Sequence, residues 1–206
     1  RSRFRGGIYG VSVGDALGLP VEMEPRQARQ ADPITGMRGF GKHNLPPGTW
    51  SDDTSMTLCL LEGLLQGPDW NQVARLFERW SQGKQWIAGG KVFDSGQTVA
   101  EALVRLENVA DAREAGLDAE GRTGNSSLMR TLPVALMLRS ALPQEIARAA
   151  HNASRITHAH PRCQMACGIY CVLARHLLDG MERAEAWETT RRWAAEYYEK
   201  MFPNQT

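Results

Sequence analysis

The sequence predicts an all-α protein. Apolar residues recur at intervals of three and four along most of its length, whereas the alternating pattern of a half-buried strand is nearly absent. Short breaks rich in Gly, Pro, Asn or Asp separate the periodic stretches, as expected for helices joined by turns. A chain of 206 residues is long enough for one well-buried core but not for two. We therefore expect residues 1–206 to form a single compact multi-helix domain.

Eight stretches carry the helical pattern. The first is rich in glycine, and Gly10, Gly14 and Gly18 recur at every fourth position, which would form a smooth stripe against which a helix or a ligand packs closely. Pro20 is expected to end or distort that helix. The predicted helices cover residues 4–18, 54–66, 70–82, 97–109, 126–139, 143–156, 161–179 and 182–200.

Two segments without helical periodicity are longer than a compact helical domain needs. Residues 25–50 and 83–96 are rich in glycine, and the first is also rich in proline. Irregular segments of this length are uncommon unless they bind or cover something. Both lie beside acidic residues, since Asp52 and Asp53 follow the first and Asp94 lies within the second. These loops are therefore expected to flank a functional site.

The overall composition is that of an ordinary globular protein, with 42% apolar and 23% charged residues. The formal net charge of +1 gives no reason to expect nucleic acid or an anionic membrane as a partner. No apolar stretch approaches the roughly 18 to 20 residues that span a bilayer, and the first ten residues lack the apolar segment of a signal peptide. We expect a small-molecule partner and a cytoplasmic location.

Four cysteines occur, and three of them share one helix face. Cys163, Cys167 and Cys171 follow one another at every fourth position, while Cys59 lies in an earlier helix. A metal or redox cluster is one interpretation. Structural zinc sites usually use tighter pairs, however, and a free cysteine behaves as a small buried hydrophobe. Core packing is therefore the favoured interpretation.

Asp52 and Asp53 stand side by side, between Ser51 and Thr54, at the start of an apolar helix. One of them is a natural N-cap, because a carboxylate there accepts backbone N–H bonds and meets the positive end of the helix dipole. The second is left unexplained, since adjacent carboxylates repel and a buried one takes up a proton or binds a cation. A hard divalent cation could bind both carboxylates and the hydroxyl of Ser51. The alternative is a solvated cap.

A second acidic pair lies near the end of the first predicted helix. Asp15 and Glu22 are seven positions apart and would share a face if the helix continued that far, next to an apolar surface on which ionised groups are costly. If the helix ends near Pro20, Glu22 lies at its C-terminal edge, where the dipole disfavours an anion. Such a carboxylate is a candidate for catalysis or for the outer shell of a metal.

Two further segments carry polar groups at predicted helix boundaries. Gly124 and Asn125 precede two serines, of which Ser126 is the first, and free N–H groups and hydroxyls at a helix start suit a phosphate or a sugar hydroxyl. An ordinary helix cap is the alternative. His158 follows Thr157 in a break between helices, where binding groups tend to lie. A structural hydrogen bond is the alternative for this histidine.

Taken in order, five segments resemble the ADP-ribosylglycohydrolase family, which includes the dinitrogenase reductase-activating glycohydrolase and the ADP-ribosylarginine hydrolases. Each segment alone is weak, but together they spread over about three quarters of the chain. They are GDALGLPVE at 14–22, WSDDTSM at 50–56, FDSGQT at 93–98, GNSSLMR at 124–130 and ITHAH at 156–160.

The resemblance implies an all-helical fold with a central cleft that holds two Mg²⁺ or Mn²⁺ ions. It also implies removal of ADP-ribose from a modified protein side chain, so that the partner is an ADP-ribosylated protein or ADP-ribose itself. By position, it implies Ser51 (where Thr is usual), Asp52 and Asp53 as metal ligands, Glu22 and Asp94 as catalytic groups, and Gly124, Asn125 and His158 as groups that hold ribose and phosphates, with Ser126 beside them.

The implied chemistry agrees with these residue types. Cleavage of an N-glycosidic bond to ribose builds positive charge at the anomeric carbon, and metal ions can grip the ribose hydroxyls and supply an activated water. A nearby carboxylate then acts as base or stabilises the cationic centre. The resemblance of the FDSGQT segment to the family pattern implies arginine-linked rather than serine-linked substrates.

One expected part of the family pattern is missing. Family members carry a second acidic cluster, an Asp-Thr-Asp-Thr run near the C-terminus, whereas this sequence contains no Asp after Asp179. We expect either a sequence that is incomplete at its C-terminus or a natural short form with an impaired metal site. A non-catalytic ADP-ribose-binding or protein-interaction module is the alternative to a hydrolase.

Overall fold

A computed structural model describes residues 2–205, which form nine α-helices and no β-sheet. Isolated backbone bridges join Phe40 to Leu45 and Leu117 to His158. The all-α prediction is confirmed. None of the helices in this range is long and apolar enough to cross a membrane. The helices are α1 (Ser2–Gly18), α2 (Arg26–Ala31), α3 (Asp52–Leu65), α4 (Trp70–Ser81), α5 (Gln97–Arg105), α6 (Leu132–Met137), α7 (Pro143–Arg155), α8 (Pro161–Asp179) and α9 (Arg183–Met201).

The core forms where α3 packs against α4 and α6, and α7 packs along α8. Helix α4 shows how sequence spacing creates it, because Val73, Phe77 and Trp80 are spaced four and three residues apart and so share one buried face. Met56 and Leu60 of α3 have the same spacing and are fully buried. Burial of each such side chain contributes about 1.5–3 kcal/mol. The start of α3 is thereby fixed at one end of a rigid core.

Three predicted segments differ from the structure. Residues 25–50 are not wholly irregular, because they contain α2. The predicted helix 126–139 begins only at α6, since the carbonyl oxygen of Asn125 accepts two following N–H groups in a turn. The predicted helix 97–109 ends as α5, and a short 3₁₀ turn follows it. In each case the apolar periodicity of the sequence predicted the wrong helix boundary, because backbone hydrogen bonds determine where a helix begins and ends.

The cysteine stripe of α8 lies inside the fold. Cys163, Cys167 and Cys171 are buried and free, and they face the chain that leads into α6. The thiol of Cys167 lies 3.5 Å from the hydroxyl of Ser127, and that of Cys171 lies 3.4 Å from the carbonyl oxygen of Thr131. Burial raises the pKa of the Cys163 thiol to about 11, so that it stays protonated. The core-packing interpretation is confirmed.

Helix α9 packs against α7 and α8 through the buried side chain of Tyr198. The hydroxyl of Tyr198 lies 2.9 Å from Nε2 of His151, and both side chains are buried. They reach each other across Gly168 of α8, where a Cβ would overlap the Tyr198 hydroxyl. The small residue at position 168 is therefore needed for the three helices to meet.

Candidate active site

The first turn of α3 presents Asp52 and Asp53, which we call the carboxylate pair. Ser51, with an extended backbone, is the N-cap residue, and its hydroxyl accepts the N–H of Asp53 at 3.2 Å. The prediction that Asp52 or Asp53 caps the helix was therefore wrong. Both aspartates already have helical backbone, and a cap residue must lie outside the helix. Neither carboxylate serves as the cap, although Oδ2 of Asp53 accepts the hydroxyl of Ser51 at 3.2 Å.

Asp15 of α1 anchors the start of α3. Its carboxylate accepts the N–H of Ser51 at 2.9 and 3.0 Å, the N–H of Thr54 at 3.0 Å and the hydroxyl of Thr54 at 2.6 Å. These bonds satisfy N–H groups at a helix N-terminus that have no partner within the helix. Asp15 thus fixes the position of the carboxylate pair relative to α1. The sequence indicated an unusual carboxylate here but not this partner.

The electrostatic environment of the carboxylate pair is unfavourable for two anions. Asp52 is only 5% exposed, and its pKa is raised to about 8 by burial first and then by the charges of Asp53, Asp94 and Asp15. The pKa of Asp53 is also raised, mainly by burial and by Asp15, although the bond from Ser51 opposes the shift. Within residues 2–205 neither aspartate has an ion pair with a basic side chain. A bound cation would relieve this repulsion.

A second group lies beside the pair and consists of Glu22, His43 and Asp94. Each offers one oxygen or nitrogen atom, and these three atoms lie within 4.8 Å of one another. Nε2 of His43 lies 2.6 Å from Oε2 of Glu22, and the His43 ring lies 5.4 Å from the ring of Phe93. Burial and then the Glu22 charge raise the pKa of Asp94. The sequence placed Glu22 and Asp94 in the site but missed His43.

Backbone contacts hold His43 in place. The N–H of Lys42 donates to the carbonyl oxygen of Pro20 at 3.2 Å, just before Glu22. Gly41 makes this approach possible, because its φ is +42° and a Cβ there would overlap the Pro20 carbonyl group. The part of the 25–50 loop around Gly41 therefore packs against the 3₁₀ turn Leu19–Val21 that follows α1. No local signal in the sequence could reveal this contact.

The predicted substrate-binding residues come together separately. A Cβ on Gly124 would lie 3.6 Å from Nε2 of His158, and one on Gly96 would lie 3.1 Å from the hydroxyl of Ser126. The 93–96 loop, which carries Asp94, therefore touches the 124–126 loop. Asn125 is exposed in the turn between them and α6.

The candidate residues thus lie on two sides of the 93–96 loop, with the carboxylate pair, Glu22 and His43 on one side and the predicted substrate-binding residues on the other. The charge of Asp94 acts on the carboxylate pair and raises the pKa of both members. Asp94 in turn lies in the loop that touches Ser126. Among the described residues no hydrogen bond joins the carboxylate pair directly to Gly124, Asn125 or His158. A ligand that contacts both groups would have to extend across the 93–96 loop.

The sequence model of the ADP-ribosylglycohydrolase family matches residues 1–204. The chain belongs to the ADP-ribosylglycohydrolase family. This match confirms the resemblance that five short segments indicated.

Relatives of this ADP-ribosylglycohydrolase chain are longer than the chain itself. ADP-ribosylarginine hydrolase Tri1 of Serratia proteamaculans is 28% identical over 185 residues, which are 89% of this chain and 49% of the relative. ADP-ribosyl-[dinitrogen reductase] glycohydrolase of Rhodospirillum rubrum is 32% identical over 180 residues, or 86% and 58% of the two chains. A solved ADP-ribosylglycohydrolase-related protein complex has a TM-score of 0.76 at 33% identity, over 93% of this chain and 61% of that one. The chain spans about half the length of the first of these relatives.

Metal dependence is general in the ADP-ribosylglycohydrolase family, and the donor chemistry of the α3 N-terminus fits it. The carboxylate pair and the Ser51 hydroxyl are hard oxygen donors, which Mg²⁺ and Mn²⁺ prefer. Burial and the neighbouring carboxylates raise the pKa of Asp52 to about 8, so a bound cation would favour its ionised form. The group around His43 also offers three donor atoms within 4.8 Å of one another, although the bond between His43 and Glu22 takes up one oxygen of Glu22.

Proposed function

We propose that this chain carries the catalytic carboxylates of a metal-dependent ADP-ribosyl hydrolase that removes ADP-ribose from modified protein side chains. The observation that carries the proposal is the buried carboxylate pair, whose first member has its pKa raised to about 8 at the N-terminus of α3. Family membership supports the reaction class. Since the chain spans only part of its relatives, the activity is proposed for the protein that contains it.

In this proposal Ser51 and the carboxylate pair hold Mg²⁺ or Mn²⁺. When bound, the cation would coordinate ribose hydroxyls and supply an activated water. Asp15 acts by fixing the α3 terminus, because its carboxylate binds the N–H groups of Ser51 and Thr54. The family's second acidic cluster does not occur in residues 1–206, so the proposal assigns these residues one half of a dinuclear site.

Hydrolysis breaks the bond between ribose C1′ and the side-chain nitrogen. The bonding electrons leave with the nitrogen, which takes up a proton, while the oxygen of water adds to C1′ and water releases a proton. Glu22 is suited to accept that proton, because its side chain is 34% exposed and His43 donates to only one of its two oxygens when Glu22 is ionised. The negative charge of Asp94 would stabilise the cationic C1′.

The proposed substrate is an ADP-ribosylated protein with an arginine linkage. Two relatives are ADP-ribosylarginine hydrolases, each at 28% identity, which supports this linkage. Gly124, Asn125, Ser126 and His158 are proposed to hold the ribose and phosphates. Their position beyond the 93–96 loop would direct the C1′ end of ADP-ribose toward Asp94.

The test uses protein expressed from the complete coding sequence, an ADP-ribosylarginine peptide and Mg²⁺, with released ADP-ribose measured by chromatography. We expect Asp52→Asn with Asp53→Asn to abolish release, and Glu22→Gln to lower kcat by at least about 100-fold with little change in KM. Asp118→Asn is the matched control, because Asp118 is exposed and has no ion pair in the described range. Equal release by wild type and the double variant would refute the proposal.

A non-catalytic ADP-ribose-binding module is a second candidate. It is compatible with the single acidic pair, Asp52 and Asp53, that residues 1–206 bring to the site. This candidate predicts ADP-ribose binding that EDTA does not weaken. Calorimetric titration with and without Mg²⁺ separates the two functions, because a requirement for the metal contradicts the module.

A further inference from the structure

Arg130 is a fully buried cation in the middle of the protein, and the charge of Asp52 is near enough to favour its ionised form. The residue is fully buried, and in the described part of the chain it has no ion pair with a carboxylate. Its guanidinium lies 4.6 Å from the centroid of the Phe77 ring and 3.7 Å from the sulfur of Met56. A buried charge is costly unless it is hydrogen-bonded. The groups that accept hydrogen bonds from Arg130 therefore identify the part of the structure that its charge stabilises.

The strongest of those bonds leads to the 156–160 segment. Nη2 of Arg130 donates to the hydroxyl oxygen of Thr157 at 2.7 Å and to the carbonyl oxygen of Ala153 at 3.2 Å. The same hydroxyl lies 2.9 Å from Nδ1 of His158. Thr157 therefore connects a buried guanidinium to a histidine that the family resemblance assigns to ligand binding.

The direction of the second bond follows from the donors available. A guanidinium only donates, whereas a hydroxyl has one proton to give. Thr157 is fully buried, and among the residues in the structure its hydroxyl has no other acceptor than Nδ1 of His158. If Nδ1 carried the proton, the Thr157 proton would be left without an acceptor, which costs about 1–3 kcal/mol. The proton of Thr157 is therefore donated to Nδ1.

This arrangement fixes the tautomer of His158. With Nδ1 accepting, the neutral ring carries its proton on Nε2. Burial and then the charge of Arg130 lower the pKa of His158 to about 3, which agrees with a neutral ring. Nε2 faces Gly124, where a Cβ would lie 3.6 Å away. The His158 side chain is only 1% exposed, and within residues 2–205 its Nε2 has no hydrogen-bond partner.

We propose that Arg130 and Thr157 are positioning residues that hold His158 as a neutral Nε2–H donor, aimed at an oxygen of a ligand in the 124–126 loop. The ligand class, a ribose hydroxyl or a diphosphate oxygen of ADP-ribose, rests on the proposed function. The orientation of the donor rests on the hydrogen bonds alone. A histidine with its proton on Nδ1 would instead present a lone pair, which repels a diphosphate oxygen and can only accept a proton from a ribose hydroxyl.

The first test reads the tautomer directly by long-range ¹H–¹⁵N correlation spectroscopy of the uniformly labelled full chain. The five histidines give separate patterns, and His158→Phe identifies the pattern of His158. We expect an unprotonated Nδ1 and a protonated Nε2 in wild type and in Thr157→Ser, which keeps the hydroxyl. Thr157→Val should redistribute the proton between the two nitrogens. A protonated Nδ1 in wild type overturns the proposal.

The second test measures ADP-ribose binding by calorimetry. Thr157→Val should bind about three- to tenfold more weakly than wild type, the loss expected for one hydrogen bond, and Thr157→Ser should restore affinity. Thr131→Val is the matched control, since Thr131 is equally buried but contacts Cys171 rather than His158. Thermal melting verifies that each variant folds.

The outcomes separate the two claims. Unchanged affinity of Thr157→Val, with the tautomer as expected, overturns the role of the donor in binding. Absence of ADP-ribose binding by wild type refutes the ligand class, while the spectra still decide the tautomer and the release assay decides the proposed function.

Discussion

Replacement of Asp52 by Asn should stabilise the metal-free protein while it removes the metal site. The folded pKa of Asp52 is about 8 against an ordinary value of 3.8, so the folded state favours the protonated acid. The contribution of protonated Asp52 to the free energy of unfolding is therefore fully present below about pH 4 and is lost as pH rises toward 8. One pKa unit corresponds to about 1.4 kcal/mol, which sets a ceiling of about 4 kcal/mol at pH 7. Asparagine has nearly the same shape and no charge to desolvate.

The assay is urea denaturation of wild type and Asp52→Asn in EDTA between pH 4.5 and 8.5. We expect the variant to gain about 2–4 kcal/mol over wild type at pH 7 and to approach it at the acid end. Asp118→Asn, at an exposed position, should show a flat difference across the range. A difference between Asp52→Asn and wild type that does not grow with pH would refute the assignment of an uncompensated buried charge.

Three further predictions test the site and the fold. Millimolar Mg²⁺ should raise the Tm of wild type but not that of the double Asn variant of the carboxylate pair, because only a ligand of the folded state stabilises it; equal shifts in differential scanning fluorimetry would exclude this site. His43→Gln keeps a donor for Glu22 and should retain more kcat than His43→Leu, with similar KM for both; equal kcat values of the two variants would contradict a positioning role. Gly168→Ala should lose about 1–3 kcal/mol, because its Cβ overlaps the Tyr198 hydroxyl, whereas Gly10→Ala, with open space around its Cβ, should be neutral or gain up to about 1 kcal/mol in urea denaturation.

The amino-acid sequence determined those features that depend on local spacing. Apolar periods of three and four residues predict helices because the α-helix has 3.6 residues per turn, and α4 shows this in its buried stripe. The spacing of the α8 cysteines placed them on one helix face, and the apolar character of free cysteine predicted that this face packs in the core. The short segments around Glu22, Asp52 and His158 identified the family before any contact was known.

The tertiary structure alone decided how distant residues meet. His43 lies 21 positions from Glu22, and Asp15 lies 36 positions from the Ser51 N–H that it binds. Arg130 reaches Thr157 across 27 positions. Such contacts form only when helices pack on a common core, so no local period or motif encodes them. For the same reason Ser51, rather than an aspartate, caps α3, since the backbone of the packed chain sets where the helix begins.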